Sequence, residues 1–156
     1  MKRASAVAMA LVVSCSQPPP VKARYGEVMA ELGRRFERSG KAAVAGRWEL
    51  AAFEVGELKE ICTAALPRAE LPQEGPTAAL GALTEVFVTT ALPPMAAAAR
   101  ARSATAFAAA FQAAAVQCNA CHASTEKAFI EVPLVAGAEV PLLTAVEPPR
   151  PTPSPR

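Results

Sequence analysis

Proline placement constrains this chain more than any other feature. The fifteen prolines gather at 18–20, 67–76, 93–94 and 133–155. Proline has no N–H and a locked φ, so each cluster ends or kinks regular structure. The stretches between are rich in alanine, the best helix former. In 21–40, Tyr25, Val28, Met29, Leu32 and Phe36 recur at helical spacing, and Gly40 reads as a stop. A second helix is expected from Lys41 to Leu66, with Val44, Trp48, Ala52, Val55, Cys62 and Ala65 on an apolar stripe that Leu50, Phe53 and Ile61 widen. A third runs from Thr77 to Ala91, where Pro93 and Pro94 break or kink it before "MAAAARAR" carries it on. Ser103 is placed to cap a fourth, which passes through Phe107 and Phe111 to His122. No part of this body alternates like a strand. The expected fold is all-α, an antiparallel four-helix bundle with an irregular C-terminal extension.

The ends differ from the body. Lys2 and Arg3 precede a short apolar run, Ala4 to Val13, too short to span a bilayer. "VVSC" then resembles the bacterial lipobox, in which the cysteine, here Cys15, is lipidated and becomes the new N-terminus; an ordinary cleaved signal peptide is the alternative. The expected divisions are a signal peptide over 1–14, a tether over 15–20, the bundle over 21–125, an extended arm over 126–146 and a Pro-rich, disordered tail over 147–156. Export to the periplasm, with membrane attachment through the lipid, follows. Losing Lys2 and Arg3 takes the sixteen basic residues to fourteen, against fourteen acidic ones. A near-neutral mature chain offers no electrostatic case for nucleic acid.

One short motif carries chemistry. In "CNACH", Cys118 and Cys121 are three apart and the chain's single histidine, His122, follows directly. On a helix all three project from one face. Two thiols at this spacing suit the two vinyl groups of a haem, and the adjacent imidazole suits its iron; C-x-x-C-H is the c-type attachment pattern. Phe107 and Phe111, earlier on the same face, would wall the macrocycle. Zinc needs four ligands, and only Cys62 is available to complete the set. A thioredoxin-like pair belongs at the start of a helix after a strand, in a βαβ context this chain lacks.

A helical bundle with C-x-x-C-H in its last helix resembles the cytochrome c′ group, the class II c-type cytochromes. "VMAELGRRF" is similar to the opening helix of that group. "AGRWELAAFEVGELKE" and "CNACHASTEKAFIEVP" resemble a cytochrome c′-like bacterial subset carrying a W-E-L-A stretch. The likeness covers about residues 21–135, and the chain departs from it by continuing well past the haem site. The resemblance implies one covalent haem c, with Cys118 and Cys121 as thioether residues and His122 as proximal axial ligand. It places Met29 over the opposite face, and it carries the possibility of a homodimer. Arg34 and Arg35 read as solvated side chains, one of which could reach a haem propionate. Plain core packing is the competing role for Met29.

Three functions are compatible with such a haem. The first is electron transfer with redox partner proteins of the cell envelope. The second is binding or sensing of nitric oxide or carbon monoxide at an open distal face. The third is service as a haem-carrying subunit of a larger envelope enzyme. There is no second histidine for acid–base work and no G-x-S-x-G, so the chain is not read as an enzyme. Electron transfer is the simplest use of a haem without catalytic partners. If the iron has a second protein ligand among neutral side chains, it is a methionine. Met1 and Met9 leave with the signal peptide, and Met95 follows the proline pair, so Met29 is the expected ligand.

Overall fold

The computed structural model describes residues 22–73 and 75–138. The lipidation residue Cys15, the signal peptide, the tether and the tail over 147–156 lie outside the described residues, as does the arm beyond 138. Among the described residues the fold is all-α, without strands. There are four continuous helical runs. Helix α1 is Tyr25–Val44. Helix α2 joins Trp48–Glu60 to a π turn, Ile61–Ala65, and a 3-10 turn, Leu66–Arg68. Helix α3, Leu80–Arg100, contains a π turn at Phe87–Ala91. Helix α4 is Ala104–Ser124. Each helix packs on the next, and α4 returns to α1.

Gly40 does not end the first helix. It is buried in mid-helix, where a Cβ would stand 2.8 Å from the Phe111 ring and 3.1 Å from the Gly137 nitrogen. Its role is close packing. The stop comes at Gly46, in the left-handed region at φ 69°. There Gly46 N–H donates to Ala43 C=O at 3.0 Å and Arg47 N–H to Ala42 C=O at 2.8 Å, a Schellman ending. The second helix therefore starts at Trp48 and not at Lys41. Val44, expected on its stripe, is 69% exposed, and so is 54% of Phe53; Ala51, Val55, Leu58 and Cys62 form the buried face.

Two other helices end in the same hydrogen-bond pattern without glycine. At the end of α3, Arg102 (φ 53°) donates to Ala99 and Ser103 to Ala98. At the end of α4, Lys127 N–H donates to His122 C=O at 2.7 Å across Glu126, at φ 60°. Ser103 caps α4 as expected, its hydroxyl accepting from Ala106 N–H at 3.3 Å.

Pro93 and Pro94 neither end α3 nor stop it. In the π turn immediately before them, Phe87–Ala91, Leu92 N–H donates to Phe87 C=O, and the helix runs on through both prolines to Arg100. The Thr90 hydroxyl donates to Val86 C=O at 2.7 Å and the Thr89 hydroxyl to Glu85 C=O at 2.8 Å. By length and composition α3 is apolar enough to cross a bilayer. Its inner face, however, with Phe87, Leu92, Met95 and Ala99, is part of the core.

Two polar features fix the helices relative to one another. Glu54 on α2 is 0% exposed and accepts from Arg35 Nη1 of α1 at 3.1 Å, with Arg38 Nη2 2.9 Å from its other oxygen. A single bridge pairs Arg24 with Glu70, tying the start of α1 to the linker after α2.

Candidate haem site

One cavity of about 580 Å³ lies between α1, α4, the linker before α3, and the chain after α4. Helix α1 contributes Tyr25, Met29, Leu32, Gly33 and Phe36. Helix α4 contributes Phe111, Cys118, Cys121 and His122. Pro72, Pro76 and Leu80 close one end, and Ile130, Val132, Pro133 and Gly137 another. Met29, the two cysteines and the histidine thus share one space. They come from sequence positions some ninety residues apart, brought together because α4 returns to pack on α1. The walls are apolar for the most part, and the volume falls in the range of about 300–1,000 Å³ typical of cofactor and ligand sites.

Phe107 is not in this wall. It sits 1% exposed in the core, edge-on to Trp48 with ring centroids 6.4 Å apart. Phe111 is the aromatic that reaches the cavity, stacked on Phe36 at 4.2 Å. Met95 is fully buried and does not line the cavity, which leaves Met29 as the methionine on it. Arg35 is engaged by Glu31, Glu54 and Glu57; Arg34, itself paired with Glu31, and Lys127 stand at the cavity.

The thiols are free, with no disulfide among Cys62, Cys118 and Cys121. Burial pushes Cys118 up to about 12, with smaller contributions from Cys121 and Cys62. Burial also raises Cys121, and raises Cys62 to about 12. A dithiol redox pair needs the opposite shift, toward the thiolate. Among the described residues no three His, Cys, Asp or Glu side chains are grouped to hold a metal ion, so Cys62 completes no zinc set. Burial raises Tyr25 as well, against the influence of the neighbouring Thr84 side chain, which lowers it. Its hydroxyl is neutral at the cavity edge.

His122 is oriented from outside its own helix. Its Nδ1 is 2.7 Å from the Ile130 carbonyl oxygen. A carbonyl can only accept, so Nδ1 carries the proton and Nε2 of the neutral ring is an open lone pair. This is the arrangement in which a histidine binds a metal, since the partner at the other nitrogen fixes tautomer and ring orientation. The residues present fit a covalent haem: two un-ionised, unpaired thiols one helical turn apart, an imidazole with its ligating nitrogen free, and an apolar cavity between them and Met29.

Asn119, the first spacer of the motif, has a role that no sequence pattern signals. Its amide N–H donates to Val132 C=O at 2.9 Å, and its Oδ1 accepts from Val132 N–H at 2.7 Å. The described part of the expected arm is accordingly a run of turns held against α4, reaching Gly137 beside Gly40 and Val44. Comparison of the chain with protein-family models, curated proteins and solved structures finds no match.

Proposed function

We propose that this chain is an exported four-helix-bundle cytochrome of the class II c-type kind, carrying one covalent haem and transferring single electrons. The supporting observation is the convergence of Met29, Cys118, Cys121 and His122 on one apolar cavity of about 580 Å³. The haem, when bound, supplies the iron whose oxidation state stores the electron. Cys118 and Cys121 hold it through thioether bonds. His122 offers Nε2 because Ile130 occupies Nδ1. Met29, on α1, would offer its thioether to the iron, and Leu32, Phe36 and Phe111 would exclude water. Arg34 and Lys127 offer positive charge to the propionates. No acid–base group is required for this work. Redox proteins of the cell envelope are the partners, with the chain held near them by lipid on Cys15.

The apolar character of the same cavity supports a second reading. With Met29 off the iron, the space beside it suits a diatomic gas. One experiment separates the two: absorption spectra of the protein, made with a c-type maturation system, oxidised, reduced, and reduced under carbon monoxide. A low-spin spectrum insensitive to the gas is expected. A high-spin spectrum that shifts with carbon monoxide moves gas binding ahead. A colourless protein, or haem lost on a denaturing gel, overturns both.

A further inference from the structure

We propose that Asn119 is a positioning residue for the axial histidine, acting through the chain segment that follows α4; the inference rests on the haem reading of the cavity. The geometry carries it. Asn119 and His122 are one helical turn apart on α4, and each holds one point of the same segment. Asn119 clamps Val132 in both directions, at 2.9 and 2.7 Å, and His122 Nδ1 donates to Ile130 at 2.7 Å.

Ile130 and Val132 are two residues apart, so fixing the second restricts where the carbonyl of the first can lie. The helix end adds a third anchor, Lys127 N–H to His122 C=O at 2.7 Å. Between Lys127 and Val132 the segment has no helix or strand to hold it. Phe129 is 77% exposed and contributes no packing. The turn from Ile130 N–H to Lys127 C=O at 2.8 Å and the packing of Val132 on the core start the segment on its course, and the two Asn119 hydrogen bonds hold Val132, and with it the Ile130 carbonyl, against α4.

The consequence is electronic. An acceptor on Nδ1 makes Nε2 a better donor to iron, and a better donor favours the ferric state. Removing the clamp should raise the reduction potential. Loosening a lid that only keeps water out should do the reverse, because solvent favours the more highly charged iron. The sign of the shift distinguishes the two roles.

The test compares the intact haem protein with Asn119→Ala and with Val132→Pro, which removes the N–H that Asn119 accepts without touching α4. Potentiometric titration is run beside limited trypsin digestion at Lys127, the only basic residue of this segment. Asn119→Ala loses both hydrogen bonds and should be cut about tenfold faster or more; Val132→Pro loses one, the Val132 N–H to Asn119, and should be cut faster by a smaller factor; both should have a higher potential. Unchanged cleavage overturns the clamp. Faster cleavage with an unchanged or lower potential overturns the positioning role. If Asn119→Ala fails to mature, Val132→Pro decides alone. A wild type without haem sinks the functional proposal instead, while the cleavage comparison still reads the clamp.

Discussion

Replacing Glu54 by glutamine should destabilise the protein far more than a charge change on a helix surface normally does. The carboxylate is 0% exposed and lies between two guanidinium groups. Glutamine keeps the shape and can keep one acceptor for Arg35, but its NH₂ then faces the donors of Arg38. The loss is the ion pair with Arg38, whose Nη2 stands 2.9 Å from a Glu54 oxygen that accepts no hydrogen bond, and the weakening of the Arg35 hydrogen bond to one with a neutral acceptor, together roughly 1.5–3 kcal/mol. It should fall short of the roughly 3–5 kcal/mol seen when a fully buried pair is broken, because Arg35 remains bonded to Glu31 at 2.8 Å and keeps partial contact with water. For a domain of this size that is a fall in Tm of about 6–12 °C, read from the helical circular dichroism on heating. The effect bears on the site, since Arg35 and Arg38 belong to α1, which also carries Met29 and Phe36 to the cavity. A fall of less than about 2 °C would refute the reasoning: the pair would then count as a surface ion pair, of roughly 0–1 kcal/mol.

Three further outcomes are expected. Met29→Ala should convert a low-spin haem spectrum to a high-spin one that binds carbon monoxide; a low-spin spectrum that does not change assigns the sixth ligand elsewhere. Glu126→Gly should stabilise the protein by about 1 kcal/mol in denaturant titration, because a side chain in the left-handed region costs roughly 1–2 kcal/mol that glycine avoids. Cys62 is pushed up from an ordinary 9.0 to about 12, so above pH 9 the unfolded chain releases a proton that the folded one keeps. Stability should then be full below pH 9 and fall toward pH 12 by about 1.4 kcal/mol per pH unit. The haem-free protein, in which Cys118 is also raised to about 12, should fall about twice as steeply; equal slopes would mean that Cys118 is not consumed by a thioether.

The helices were legible because their inner faces repeat at 3.6 residues; their ends were less so. Gly40 looks like a stop and is a contact, since nothing in the sequence reveals that Phe111 and Gly137 approach it. Arg102 and Glu126 are true ends that carry no glycine, so only the backbone discloses them. The proline pair reads as a break because the sequence does not announce a π turn just before it. Phe107 lies on the same face as the cysteines, but eleven residues before Cys118 is about 16 Å along the helix, beyond the end of the cavity. Phe111, four residues nearer, reaches it. Cys118, Cys121, His122 and Met29 were all found from spacing or resemblance, and all four line one space.

Asn119 was missed for a different reason: the pattern C-x-x-C-H assigns its spacers no role. On the helix, Cys118, Cys121 and His122 fan across about 100°, and Asn119 falls about 60° past His122 on the same side. That arc is where the segment after α4 lies, taking hydrogen bonds from both His122 and Asn119. Four of these five consecutive residues thus serve two partners, the cavity on one side and the returning chain on the other. The returning chain in turn gives the cavity Ile130, Val132 and Pro133 as wall. A bundle cut at residue 125 would keep both thiols and the imidazole, but it would lose the carbonyl that fixes the imidazole tautomer and one side of the cavity. The chain after the motif is therefore part of the same cavity.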